Sequence, residues 1–123
     1  MFDAKVIKIA DGVLVQCKGR LVQSEAAFKF RDLVTAQAAS GLRTIVLDLS
    51  GLEALAGGGL GMLVFLQRWA QDTGVQLKLA QPPDRVWERI KSAPSLCDVE
   101  IVSGLDLITS AGPESGTPTR VGL

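Results

Sequence analysis

Hydrophobic and polar positions change period several times along the chain. Residues 5–10 alternate Val6 and Lys8 with Ile7 and Ile9, and residues 13–18 resume a strand-like run after Asp11-Gly12. Apolar alternation on both sides of an Asp-Gly pair predicts an antiparallel hairpin with positive φ at both turn residues. Residues 19–22 read as a loop. A period near 3.6 then places Ala26, Phe30, Leu33 and Val34 on one helix face, over about residues 25–39. Ser24 reads as its N-cap, with Glu25 near the positive end of the helix, and Gly41 as its C-cap.

Residues 43–49 are almost continuously apolar, which suits a central strand covered on both faces. Residues 50–56 read as a loop with a short extended piece. A helix is predicted from about Gly58 to Thr73, apolar nearly all round and therefore mostly buried, with Gln67, Arg68, Gln71 and Asp72 as its narrow polar stripe and Gly74 as its stop. Residues 75–80 alternate again as a strand with a more exposed face. Pro82-Pro83-Asp84 opens a third helix, with Pro83 in the first turn, a Val86/Ile90 pair facing inward and Pro94 closing it. Residues 99–102 form a last short strand, and residues 105–109 one possible helical turn. From Ser110 onward the sequence is polar and rich in Gly and Pro, without a core face.

The chain has 123 residues, 47% of them hydrophobic and 21% charged. That is enough for one domain with one core. The division is a domain over residues 1–110 and a tail over 111–123. Thirteen basic residues balance thirteen acidic ones. A neutral balance argues against a nucleic-acid partner, which calls for a basic stripe, and makes a homodimer plausible. There is no histidine, so histidine-based catalysis and histidine-ligated metal sites are excluded. Cys17 and Cys97 are too few for a disulfide framework and read as buried thiols. No signal peptide or run long enough to span a bilayer is evident, so a cytoplasmic protein without membrane insertion is expected.

The predicted order is β-β-α-β-α-β-α-β, an α/β fold: a single mixed sheet with an N-terminal β-hairpin followed by βαβ units, helices packed on the sheet. Within it the segment Ala56-Gly57-Gly58-Gly59-Leu60-Gly61 stands between a strand and an apolar helix. Three consecutive glycines permit positive φ and leave backbone N–H groups open beside a helix N-terminus. That geometry would suit an anion. The spacing matches neither G-x-G-x-x-G, whose third glycine would fall at Met62 or Val64, nor the P-loop, since Met62-Leu63 follows Gly61. The corner reads first as a tight packing turn. Asp48 is expected to accept backbone N–H groups and order the segment after it, and Ser50 to cap a turn. Glu53 is the other acid there, and no base, acid or metal cluster accompanies them. Trp69 reads as core. Trp87 fits the core or an interface.

The stretch from Asp48-Leu49-Ser50-Gly51-Leu52 through Gly59-Leu60-Gly61, the helix after it and the Pro82-Pro83-Asp84-Arg85-Val86-Trp87 run resemble the STAS family of bacterial anti-sigma-factor antagonists. The resemblance covers about residues 4–108. Family members usually read Asp-Ser-Ser/Thr-Gly-Leu-Gly at the turn, where a kinase phosphorylates the first serine. Here Ala56 stands at the aspartate position and Gly57 at the phosphoacceptor position. The resemblance implies a non-enzymatic, cofactor-free module that regulates transcription by binding an anti-sigma factor or serine-protein kinase. The partner surface it implies comprises Asp48, Gly57, Gly58, Gly59, Leu60, Gly61 and Arg68, with no metal and no phosphorylation switch at the corner. Two alternatives stay open: a STAS subunit bound to the ATPase of an ABC-type lipid transporter, and a small nucleotide- or phosphate-binding module.

Overall fold

A computed structural model describes residues 2–96 and 99–102 of the chain. The expected turn at 105–109, the tail and Cys97 lie outside the described residues. The five strands are β1 (Phe2–Ile9), β2 (Gly12–Leu21), β3 (Thr44–Leu55), β4 (Gln76–Ala80) and β5 (Glu100–Val102). The helices are α1 (Ser24–Gln37), α2 (Gly58–Thr73) and α3 (Asp84–Lys91). The predicted mixed sheet is present. The strands lie in sequence order, with β1 antiparallel to β2 and every later pair parallel.

This order decides where the helices go. Each β-α-β crossover is right-handed as a rule, and successive steps in one direction across a sheet put every helix on the same face. Accordingly, Phe30 and Val34 of α1, Leu63 and Leu66 of α2, and Val86 and Ile90 of α3 join Val15, Ile45, Leu47 and Leu79 in one core cluster. Of the α1 residues predicted to face the sheet, Phe30 and Val34 are fully buried, while Ala26 and Leu33 pack at its margin. The opposite sheet face carries a smaller cluster of Ile9, Leu14, Val46, Ala80 and Val102. β3 is therefore buried on both sides, as its apolar run predicts.

Several local expectations are corrected. The hairpin turn is Ala10-Asp11, because Ile9 pairs with Gly12, and Gly12 does not adopt positive φ. Gly12 is needed for another reason: a Cβ there would stand 1.7 Å from the carbonyl oxygen of Thr44 on the neighbouring strand. Residues 19–21 continue β2, and residues 50–55 continue β3. The two runs pair with each other through register shifts, with Lys18 opposite Gly51 and Arg20 opposite Ala54. Bulges and glycines interrupt the alternation there, so the sequence pattern resembles a loop.

Helix ends also differ. Gln23 occupies the N-cap of α1 without a side-chain bond, and Ser24 is the first helical residue. A 3₁₀ turn, Ala38–Ser40, follows α1, and Gly41 closes it at φ 76°. Pro83 is the N-cap of α3 rather than part of its first turn, and α3 stops at Lys91 before a 3₁₀ turn that Pro94 opens. On α2 the expected stripe is shifted. Gln67 is buried, whereas Phe65 is 47% exposed. Trp69 is half-buried against the core and Trp87 stands at the surface, 37% exposed.

Candidate functional site

The glycine corner begins where β3 ends at Leu55 and finishes within the first turn of α2. β4 pairs with β3 only from Thr44 to Asp48, so the last part of β3 is held by β2 alone. The corner therefore stands at the tip of a two-stranded arm. Ala56 N–H donates to the Leu21 carbonyl oxygen at 3.4 Å, which ties the arm's two ends together.

Packing decides two of the three glycines. A Cβ on Gly59 would lie 1.9 Å from the Leu21 carbonyl oxygen, a backbone atom that cannot step aside. One on Gly58 would meet Ser24 Oγ at 3.1 Å and Ser24 Cα at 3.2 Å. The N-termini of α1 and α2 thus sit side by side. Gly57 is the N-cap of α2, at φ 52° and ψ −123°, a conformation that L residues avoid. Gly61 is different, since a Cβ there would meet nothing within 4 Å. The structure fits the tight-turn reading, with α2 seated directly on the β2 backbone.

The expectation of several open N–H groups is corrected in part. Gly59 N–H donates to Ala56 O at 3.0 Å and Gly61 N–H to Gly57 O at 3.1 Å. These two donors are spent inside the turn. No acidic residue occupies the first turn of α2, so the positive end of its dipole is uncompensated by a local carboxylate.

Asp48 lies half-buried on β3, eight residues before Ala56. Its Oδ1 accepts the Ser50 N–H at 3.0 Å. Ser50 sits where the register slips between Gln16↔Asp48 and Lys18↔Gly51, so its amide has left the ladder and the carboxylate replaces the missing acceptor. The expected role of Asp48 is found, although the segment it orders is a bulged strand rather than a loop. Asp48 pairs in register with Gln16, the chain neighbour of Cys17. Burial pushes the Cys17 thiol well above its ordinary range, and the Asp48 charge pushes it further in the same direction. A thiol held protonated is no nucleophile.

From Ala56 to Gly61 the side chains are hydrogen, methyl or isobutyl. Such a corner has nothing with which to transfer a proton or attack a substrate. Its chemistry is that of shape, backbone and apolar contact. The exposed stripe of α2 continues it: Gly61, Phe65, Arg68 and Asp72 follow at spacings of four, three and four and are all exposed. Arg68 Nε lies 3.6 Å from Asp72 Oδ1, with both side chains more than two-thirds exposed, so the pair adds little stability and Arg68 can re-pair. Of the residues expected at the site, Gly57, Gly58, Leu60 and Gly61 reach the surface of the corner, Gly59 is buried beneath it, Arg68 is exposed further along α2, and Asp48 lies eight residues back along β3, away from the corner. Phe65 was not foreseen. Its position between Gly61 and Arg68 on one helical stripe is the signal that marks it.

A protein-family model described as "Mlab, STAS domain" matches residues 10–93, from the hairpin turn to just past the end of α3. The chain belongs to the STAS family. Solved STAS structures share its fold. SpoIIAA, an anti-sigma-factor antagonist in its unphosphorylated form, superposes with a TM-score of 0.71 at 14% identity, covering 86% of this chain and 93% of that one. A serine-to-glutamate variant of RsbS from Moorella thermoacetica gives 0.69 at 16% identity, covering 95% and 97%. The murine anion transporter Slc26a9 gives 0.63 at 23% identity, covering 85% of this chain but 16% of the transporter. No curated protein matches the sequence. SpoIIAA is also known in a phosphorylated form, with a TM-score of 0.67 to this STAS chain. Among the described residues no helix is long and apolar enough to cross a membrane.

Proposed function

We propose that this STAS domain is a non-enzymatic docking module of the antagonist type, acting in bacterial transcription control. It binds an anti-sigma factor or serine-protein kinase through the corner Gly57–Gly58–Gly59–Leu60–Gly61 and the Phe65/Arg68 stripe. It does so without a phosphorylation switch at that corner. The observation that carries this reading is Gly57 itself: the turn of an antagonist-like fold has no hydroxyl between Ala56 and Gly61, and its backbone at φ 52° disfavours one. In a switching domain, phosphate would add roughly −1.5 to −2 charges at a helix N-terminus and alter a docked partner's affinity. Here that change has no acceptor.

The test is binding to such a kinase with and without ATP, followed by mass spectrometry of residues 50–61. The expected result is a complex that survives ATP and carries no phosphate there. Stoichiometric phosphate in that segment would sink the proposal. Phe65→Ala is expected to weaken the complex by about 1–2 kcal/mol, as loss of a partly exposed aromatic anchor does.

A second reading, a STAS subunit on a transporter ATPase, is favoured by the occurrence of the same fold in an anion transporter. Co-purification with an ATPase from detergent-solubilised membranes would support it, with Phe65→Ala again reducing recovery. The phosphate- or nucleotide-binding reading is weakened by the two corner N–H donors already bonded within the turn. Calorimetry with ATP, GTP and phosphorylated metabolites at millimolar concentration is expected to show no heat of binding.

A further inference from the structure

The two edges of the sheet are unlike. Among the described residues β5 spans Glu100–Val102, and Glu100 is exposed on it. β1 is eight residues long, contains no proline, and pairs with β2 in unbroken register from Phe2↔Gly19 to Ile9↔Gly12. Its start is pinned, because the Phe2 ring packs edge-on against Phe30 of α1 with centroids 5.5 Å apart. Among the described residues β1 pairs only with β2, and its outer edge, unbroken by any bulge, faces no other strand.

Charge restricts what can pair there. Asp3 and Lys5 are both exposed on the sheet face away from the helices, whereas Phe2, Ala4 and Val6 face the core. Take an antiparallel copy of β1, related by a two-fold axis normal to the sheet. A register centred on Lys5 sets that lysine against itself. One centred on Val6 leaves Asp3 opposite Ile9 and Lys5 opposite Ile7. A register centred on Ala4 sets Asp3 of each strand opposite Lys5 of the other, twice by symmetry, and Phe2 opposite Val6. Opposite charges facing across strands favour a pairing and like charges disfavour it.

The flank agrees. Beside β1 runs a groove of about 630 Å³ floored by Phe2, Ala4, Phe30 and Leu33. Glu25 and Lys29 rim it, about 80% exposed and held to each other only at 3.9 Å, so both signs of charge are free to re-pair. Zero net charge removes overall repulsion between copies.

We propose that the β1 edge is a self-association surface: two copies join antiparallel in the Ala4-centred register, and the Asp3–Lys5 pairs select it. The inference does not rest on the docking function: it is argued from the β1 edge alone, although the start of β1 and its groove adjoin the α1 N-terminus that packs against the corner. Its interface is small, so the dimer is weak and salt-sensitive.

Sedimentation equilibrium at low salt, over micromolar to millimolar protein, tests it. The mass is expected to rise from 13.0 kDa toward twice that value. Lys5→Asp, which creates two like-charged pairs, should raise the dissociation constant about tenfold or more. The charge swap Asp3→Lys/Lys5→Asp should restore association. Circular dichroism would verify that these exposed substitutions leave the fold intact. The proposal is overturned if the wild type stays at monomer mass throughout. It is equally overturned if Lys5→Asp leaves a dimer unchanged, or if the charge swap fails to restore it.

Discussion

At the scale of single residues, the corner separates glycines by what their missing side chain avoids. Gly59→Ala drives a methyl into the Leu21 carbonyl, so it should cost about 1–3 kcal/mol or more in chemical denaturation. Gly61→Ala meets open space inside a helix and should stabilise by about 0.5–1 kcal/mol. The contrast between two glycines two positions apart is the sharpest check on the placement of α2. Gly57→Ser supplies a hydroxyl but forces an L residue to φ 52°, a strain of about 1–3 kcal/mol. Any attempt to install a switch there therefore needs Gly57→Ala as a control for backbone strain. Asp48→Ala removes the acceptor of the exposed Ser50 amide, which water can replace, so it should cost about 0.5–1.5 kcal/mol, with faster hydrogen exchange at Ser50. The motif itself was legible at this scale. The bonding of Gly59 and Gly61 N–H groups within the turn was not, because their acceptors are set by the tertiary path of the chain.

At the scale of elements, helix spans and the hairpin followed from periodicity because one apolar stripe per helix meets one sheet face. The sequence was least informative where β2 and β3 run on beyond Lys18 and Ser50. Bulges there let two residues of β3 face one of β2, which breaks the period of two that marks a strand. The same limit explains Phe65. In a helix apolar nearly all round, composition hides which aromatic faces outward, and only the i, i+4, i+7 stripe through Gly61 and Arg68 reveals it. Leu63→Ala and Phe65→Ala should therefore part company. Leu63 is fully buried, and its truncation should cost about 2–5 kcal/mol. Phe65, half-exposed, should cost well under half of that in thermal or urea unfolding while carrying the larger loss in partner binding.

For the whole molecule, which has neither histidine nor tyrosine, Cys17 is the group whose titration couples to folding through its burial. Cys17, held protonated by burial and by Asp48, binds its proton more tightly folded than unfolded. Its contribution is thus complete below the ordinary thiol value of 9.0 and is lost as pH rises past that value. The Cys17 contribution should be constant below pH 9 and then fall by up to about 1.4 kcal/mol per pH unit above it. Unfolding titrations of wild type and Cys17→Ala should differ in slope only in that alkaline range. The overall architecture was legible because sequential β-α-β steps of one hand admit few alternatives. The outer edge of β1 became visible only once the sheet order placed that strand outermost.

The contacts at Gly12 and Gly59 bear on how distant relatives of this chain are to be found. Both positions are fixed by backbone touching backbone, so their identity holds whatever the domain binds. A serine at the turn, by contrast, is required only of chains that are switched. A search pattern built on the phosphoacceptor would discard chains of this kind. One weighted toward the glycines where strand meets strand and helix meets strand would gather them in.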